Sequence, residues 1–116
     1  MNRLASLMAS LLAGLTLMSV SQTGFTMEAD KLVGTWCFYE QQAVGNTVQE
    51  QVTITLNADG TYQWRDPMWH QDGDWQLEEA VLSMSMVGRH YLLDVQANHI
   101  EMERGSLMRM RRGACI

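Results

Sequence analysis

The chain has 116 residues, which is enough for one small domain but not for several. Thirteen acidic residues against eight basic ones give a formal charge of −5 at pH 7. Nucleic-acid binding depends on basic groups that neutralise phosphates, so this balance argues against a nucleic-acid partner.

The N-terminal segment differs in composition from everything that follows it. Met1-Asn2-Arg3 supplies a positive start, Leu4 to Val20 is apolar or small, and no acidic residue appears before Glu28. This layout is typical of a secretory signal peptide, and Ser19-Val20-Ser21 is an acceptable small-residue cleavage site. The alternative is an uncleaved membrane anchor, since the apolar run is close to the minimum length for a spanning helix.

These features divide the chain into three predicted parts. Residues 1–21 are predicted to form the signal peptide, with a cut as late as residue 27. Residues 22–32 form a lead-in, with one short helical turn at its end, and residues 33–116 form the folded domain. The predicted location is periplasmic or secreted, and contact with a membrane is expected only through an uncleaved leader.

Two cysteines are present, Cys37 near the start of the domain and Cys115 near its end. In an exported chain a pair of cysteines predicts a disulfide. An oxidised pair offers no thiolate for catalysis, so its predicted role is structural.

From Val33 onward the dominant pattern is period-two alternation of apolar and polar residues, which is typical of half-buried strands. Turn residues such as Asn57-Ala58-Asp59-Gly60 separate eight short apolar segments. The predicted inward residues, in chain order, are Trp36, Phe38, Val52, Ile54, Leu56, Tyr62, Trp64, Trp75, Leu77, Leu82, Met84, Met86, Tyr91, Leu93, Val95, Ile100, Met102, Met108 and Met110.

Eight strands joined by short turns predict an all-β, antiparallel, up-and-down barrel. Closing the sheet removes the two exposed edges that an open sheet would leave. Closure also pairs the first strand with the last, which brings Cys37 close to Cys115.

Four short motifs occur in a characteristic order: Gly34-Thr35-Trp36, Asn57-Ala58-Asp59-Gly60-Thr61-Tyr62, Gly73-Asp74-Trp75 and Leu82-Ser83-Met84. In this order they resemble the small bacterial lipocalin-like domains of the calycin type. The resemblance implies a barrel that binds small apolar molecules without catalysis.

The resemblance also implies how one barrel end is closed. In the larger family the tryptophan of the first motif packs under an arginine from the last strand. Trp36 matches the tryptophan, and Arg109, Arg111 or Arg112 matches the arginine, with the choice left open.

The barrel interior offers two readings. Eight strands leave space for side chains or for one small ligand, and the large inward residues favour a filled core. Methionine is common at adaptable apolar sites, so a pocket, if present, is expected towards one open end. The candidate ligand-lining residues are Trp64, Trp75, Met84, Met86, Tyr91, Met102 and Met108.

A second candidate site is the segment 66–74, which is predicted to be a loop because of its Asp, Gly and Pro content. Met68, Trp69 and His70 lie on it, and an exposed tryptophan is a frequent anchor of protein interfaces. This loop is therefore a candidate docking site for an envelope protein.

Catalysis is not indicated by the sequence. His70, His90 and His99 are predicted to be surface or turn residues, and no glycine-rich phosphate loop is present. Thioethers can bind Cu(I), but the Met-x-Met spacing is also what a core strand requires, so neither a metal nor a cofactor is predicted. The predicted function is an exported, non-enzymatic binding module for a small apolar or amphipathic ligand, with protein interaction on a filled barrel as the alternative.

Overall fold

The computed structural model describes residues 28–116, in which each strand pairs antiparallel with the next one along the chain. The last strand also pairs with the first, so the sheet closes into an eight-stranded barrel as predicted. The strands are β1 Gly34–Ala43, β2 Asn46–Leu56, β3 Thr61–Asp66, β4 Trp69–Glu78, β5 Val81–Met84, β6 Gly88–Gln96, β7 His99–Glu103 and β8 Leu107–Arg112. A 3₁₀ turn at Ala29–Lys31 precedes them, and no helix in this part of the chain is long and apolar enough to cross a membrane. The predicted signal peptide lies outside the described residues.

The barrel interior is occupied by side chains from all eight strands. Alternation in β2 buries Val52, Ile54 and Leu56, because successive side chains of a strand point to opposite faces. Leu32, from the lead-in, is also fully buried. The core consists of Leu32, Trp36, Phe38, Val52, Ile54, Leu56, Tyr62, Trp64, Trp75, Leu82, Met84, Ile100, Met102, Met108 and Met110.

The predicted orientation of β6 is wrong by one residue over its first half. Tyr91 and Leu93 were expected inside, but they are 49% and 57% exposed, while His90 is only 2% exposed. His90 pairs directly with the buried Leu82 of β5, and directly opposed residues share a face of the sheet. A register shift between Leu92 and Asp94 then returns the strand to the predicted phase, so that the partly buried Val95 packs against the core.

The segment predicted to be a loop at 66–74 is part of a hairpin. A two-residue turn at Pro67 and Met68 joins β3 to β4, which continues to Glu78. The alternation of apolar and polar residues is not visible in the sequence of β4, because the inward-facing residue at position 71 is the polar Gln71. The Gln71 side chain accepts a hydrogen bond of 2.6 Å from the Tyr62 hydroxyl, which satisfies it.

Met86 was expected to face the core, but it is 67% exposed. Strand β5 ends at Met84, whose carbonyl accepts a hydrogen bond of 3.1 Å from the Val87 amide. The chain therefore turns before the alternation reaches Met86.

The predicted disulfide between Cys37 and Cys115 is confirmed, with the two Cα atoms 4.9 Å apart. The Cys115 amide also donates a hydrogen bond of 3.0 Å to the Thr53 hydroxyl, and Thr53 pairs with Cys37 across β1 and β2. The segment after β8 is thus fixed across the outer face of these two strands.

Candidate functional site

One end of the barrel is closed by Trp36 of β1. Its indole Nε1 donates a hydrogen bond of 2.9 Å to the carbonyl of Leu32, and both side chains are fully buried. The guanidinium carbon of Arg112 lies 3.9 Å from the centre of the Trp36 ring, a cation–π arrangement. We call this end, formed by Leu32, Trp36 and Arg112, the closed end.

The hydrogen bonds of Arg112 hold the closed end together. Its guanidinium donates to the carbonyl oxygens of Val33 at 2.9 Å, Lys31 at 3.2 Å and Ala97 at 3.1 Å. Gly34 has φ +131°, and a Cβ built there would lie 2.6 Å from Arg112 Nη1. Glycine at this position therefore allows both the backbone conformation and the close approach of the arginine.

The expected roles of Arg109 and Arg111 in this closure are corrected by the structure. Arg111 lies over the Tyr39 ring at 5.0 Å, and Arg109 forms an ion pair of 2.8 Å with Glu40. Met108 and Met110 of β8 are buried, so positions 109 and 111 face outward by alternation. Arg112 is an even-numbered position of β8, like Met108 and Met110, and therefore points to the same side of the strand. This alternation is the sequence signal that distinguishes Arg112 from Arg109 and Arg111.

The same outward face carries an electrostatic pair between Arg109 and Glu101. Arg109 Nε donates a hydrogen bond of 3.1 Å to the Glu101 carboxylate. This bond lowers the pKa of Glu101 and raises that of Arg109. The pair joins β7 to β8 and has a structural role.

The opposite end of the barrel carries the turns β1–β2, β3–β4, β5–β6 and β7–β8, and we call it the mouth. A recess of about 360 Å³ opens there towards solvent. This mouth recess is lined by Phe38, Gln41, Trp64, Met86, Val87, His90, Arg104 and Met108.

Aromatic rings form one wall of the mouth. The Trp64 ring lies 6.4 Å from Phe38 and 6.4 Å from Trp69, with both pairs edge to face. Trp64 is nearly buried, whereas Trp69 is 47% exposed. At the rim, Met68 is 91% exposed. The apolar surface therefore continues from the core outward to solvent.

The other wall of the mouth recess is polar. Arg104 lies against Gly88, where a Cβ would come within 2.7 Å of Arg104 Nε, and Gly88 has φ +95°. His90 lies beneath, with Nδ1 3.2 Å from the Gly88 carbonyl oxygen. Burial lowers the pKa of His90, which keeps the imidazole neutral at pH 7. Arg104 is thus the charged member of this lining.

Three of the seven predicted ligand-lining residues meet at the mouth recess: Trp64, Met86 and Met108. Met84 and Met102 are buried within the core instead. These two side chains therefore do not line the mouth recess.

The remaining two predicted lining residues lie elsewhere. Trp75 is near the closed end, where its Nε1 donates a hydrogen bond of 2.9 Å to the Asn57 carbonyl. Tyr91 faces outward because His90 occupies the inward position. Of the candidate partner residues, Met68 and Trp69 lie at the mouth, whereas His70 is exposed and pairs with Arg65 on the outer wall.

His90 and Arg104 line the recess, although neither is predicted from the sequence to be a site residue. His90 is inward because of its pairing with Leu82, which depends on the turn between β5 and β6. Arg104 belongs to the last turn, and the pairing of β6 with β7, in which Tyr91 opposes Glu103, brings it to Gly88. Within residues 28–116, no three His, Cys, Asp or Glu side chains converge as they would to hold a metal ion.

Comparison with known proteins supports the architecture. No family model matches the chain, and no curated protein matches it in sequence. A crystal structure of a lipocalin-like protein from Bacteroides uniformis ATCC 8492 is similar, with a TM-score of 0.59 and 14% identity. The match covers 72% of this chain and 99% of that chain. The described part of the chain is a closed, eight-stranded antiparallel barrel with the lipocalin-like fold.

Proposed function

We propose that the protein is an exported, non-enzymatic binding module that takes a small apolar or amphipathic ligand at the mouth recess. The observation that carries the proposal is an open recess whose apolar lining continues into exposed Met68, Trp69 and Met86. Contiguous apolar surface of this kind is typical of interaction sites, because leaving it in water is unfavourable.

The packed interior supports a ligand at the mouth over one at the barrel centre. Trp36 and Tyr62 are fully buried, as are Met84 and Met102 of the central core. A recess of about 360 Å³ is near the lower limit of the roughly 300–1,000 Å³ typical of ligand sites. The proposed ligand is therefore small, or only part of it enters the recess.

The disulfide supports the proposed location. Disulfides persist in oxidising compartments such as the periplasm and the extracellular space. Cys37 and Cys115 are joined in the folded domain. We therefore propose that the mature protein is periplasmic or secreted, in agreement with the predicted signal peptide.

The proposal can be tested with N-phenyl-1-naphthylamine, a neutral apolar dye that fluoresces on leaving water. The wild-type domain should enhance its fluorescence saturably. The substitution Met86→Asp places a charge at the recess and should weaken binding at least about tenfold, because burying a carboxylate is costly.

The matched control for this test is Leu93→Asp. Leu93 is 57% exposed, close to the 67% of Met86, but it lies on the outer wall. Dye binding should be unchanged in this variant. Equal loss in both variants, or no saturable binding by the wild-type protein, would contradict a ligand site at the mouth.

A second candidate function is protein interaction through the β3–β4 hairpin. It is favoured by Met68, which is 91% exposed at the hairpin tip beside Trp69. A photo-crosslinking residue at position 68 should give one discrete adduct in the native envelope, and the same residue at position 93 should not. Identical patterns from the two positions would count against this function.

A further inference from the structure

We infer that the mouth recess selects single-chain amphipaths with an anionic head, which binds Arg104 while the chain lies along Trp64 and Met108. This inference rests on the proposed function and adds the chemical class of the ligand. It depends on three observations: the placement of Arg104, its lack of a carboxylate partner, and the neutrality of the other lining residues.

Arg104 is the arginine that lines the mouth recess, and it has no carboxylate partner among the described residues. Arg89 and Arg111 also form no ion pair within residues 28–116, but they do not line the recess. Arg65 forms an ion pair of 2.8 Å with Asp72, and Arg109 is paired with Glu40. Arg112 uses its donors on backbone carbonyls at the closed end. Within residues 28–116 the Arg104 guanidinium forms no ion pair, so its donors remain available to a ligand.

Arg104 places a positive charge at the mouth recess of an acidic protein. The whole chain carries a formal charge of −5, which disfavours anions over most of the surface. Among the described residues that line the recess, Arg104 is the only charged one, because burial lowers the pKa of His90. Asp66 also lies at this end, but its carboxylate accepts the Met68 amide at 2.8 Å and does not line the recess.

The geometry places the charge beside apolar surface. Arg104 packs over Gly88, where the absence of a side chain allows the guanidinium to approach the β5–β6 turn. Trp64, Phe38 and Met108 lie across the same recess. A guanidinium offers several donors in a planar fork that suits carboxylate and phosphate oxygens. An anionic head at Arg104 therefore leaves the attached chain against the aromatic wall.

Four amphipaths with ten-carbon chains and different heads provide the test: decanoate, decyl phosphate, decanol and decyltrimethylammonium. Each is used below its critical micelle concentration. Displacement of N-phenyl-1-naphthylamine gives their relative affinities. Wild-type protein should bind decanoate at least about tenfold more tightly than decyltrimethylammonium, as expected for one charge-assisted hydrogen-bonded pair. Decanoate and decyl phosphate distinguish a fatty-acid head from a phospholipid-type head.

Arg104→Gln should lower decanoate affinity about tenfold and leave decanol affinity within about twofold. Arg104→Lys should retain the preference for anions. The matched control is Arg89→Gln, which removes an exposed arginine from the outer face of β6 and should change neither affinity. If Arg104→Gln does not fold, the wild-type comparison of the four heads still decides the question.

Two results would overturn the inference: equal wild-type affinity for decanoate and decyltrimethylammonium, or an unchanged decanoate affinity in Arg104→Gln. If decanol still binds saturably, either result overturns only the inferred selectivity for anions and leaves the proposed ligand site in place. Absence of binding by all four compounds and the dye removes the proposed function itself.

Discussion

The two ends of the barrel each combine tryptophan with arginine, but the arginines are used differently. At the closed end Arg112 lies 3.9 Å over Trp36, and its donors bind three backbone carbonyls from two segments of the chain. At the mouth Arg104 lies over Gly88 and lines the same recess as Trp64, and within residues 28–116 it forms no ion pair. The donors of the arginine are used within the protein at the closed end, whereas at the mouth they are available to a ligand.

This difference explains why the best-defined sequence motif does not mark the site. Gly34-Thr35-Trp36 belongs to the closed end, where every polar group of Trp36 and Arg112 is used for stability. A ligand at that end would have to displace these internal contacts. The mouth retains exposed apolar surface, and recognition is therefore expected there.

The largest expected effect comes from the disulfide, which fixes the segment after β8 to β1. Replacing both Cys37 and Cys115 with serine should lower the free energy of unfolding by roughly 4–5 kcal/mol in the chain-entropy model. Urea denaturation measures this change. Dye binding at the mouth, measured where the variant is still folded, should persist. A variant as stable as the wild type would show that the bond adds little.

The next effect compares the same substitution at the two ends. Arg112→Met should destabilise the fold by about 2–3 kcal/mol, because Trp36 loses its cation–π partner and three backbone carbonyls lose a charged donor. Arg104→Met at the mouth should change stability by less than about 0.5 kcal/mol. Thermal and urea unfolding of the two variants measure both values. Similar losses would contradict the different roles assigned to the two arginines.

A smaller effect is expected from pH, through the buried His90. Burial lowers its pKa, so below about pH 6.5 the unfolded chain takes up a proton that the folded chain does not. The stability from neutral His90 is therefore fully present above pH 6.5 and is lost as the pH falls. The slope approaches about 1.4 kcal/mol per pH unit for one proton.

Comparison with His90→Leu isolates this contribution from that of the carboxylates. Below pH 6.5 the difference in stability between wild type and variant should change in favour of the variant as the pH falls. Urea midpoints measured from pH 7.5 to pH 5 provide the data. A difference that does not vary with pH would show that folding does not lower the pKa of His90.

The sequence predicts the fold well where burial follows simple alternation. In the second half of β2 and in the middle of β8, apolar residues alternate with polar ones and are buried: Val52, Ile54, Leu56, Met108 and Met110. The closed order of strands places Cys37 beside Cys115. Period-two alternation is a local property, so it can be detected without knowledge of the pairing.

The site is less predictable because its residues depend on pairing and turn geometry. His90 faces inward only because it opposes Leu82, and Arg104 reaches the recess only across Gly88. Gln71 is tolerated inside because the Tyr62 hydroxyl donates a hydrogen bond to it. These contacts join residues on different strands, and no periodicity in the sequence encodes them.

The four tryptophans provide the most direct test, since two lie at each end. Trp64 and Trp69 form the aromatic wall of the mouth, whereas Trp36 and Trp75 lie towards the closed end. Fluorine NMR of the protein labelled with 5-fluorotryptophan, titrated with decanoate, reports on all four rings at once. We expect saturable shifts of the Trp64 and Trp69 resonances, with those of Trp36 and Trp75 unchanged. Shifts confined to Trp36 and Trp75, or equal shifts of all four resonances, would contradict a ligand site at the mouth.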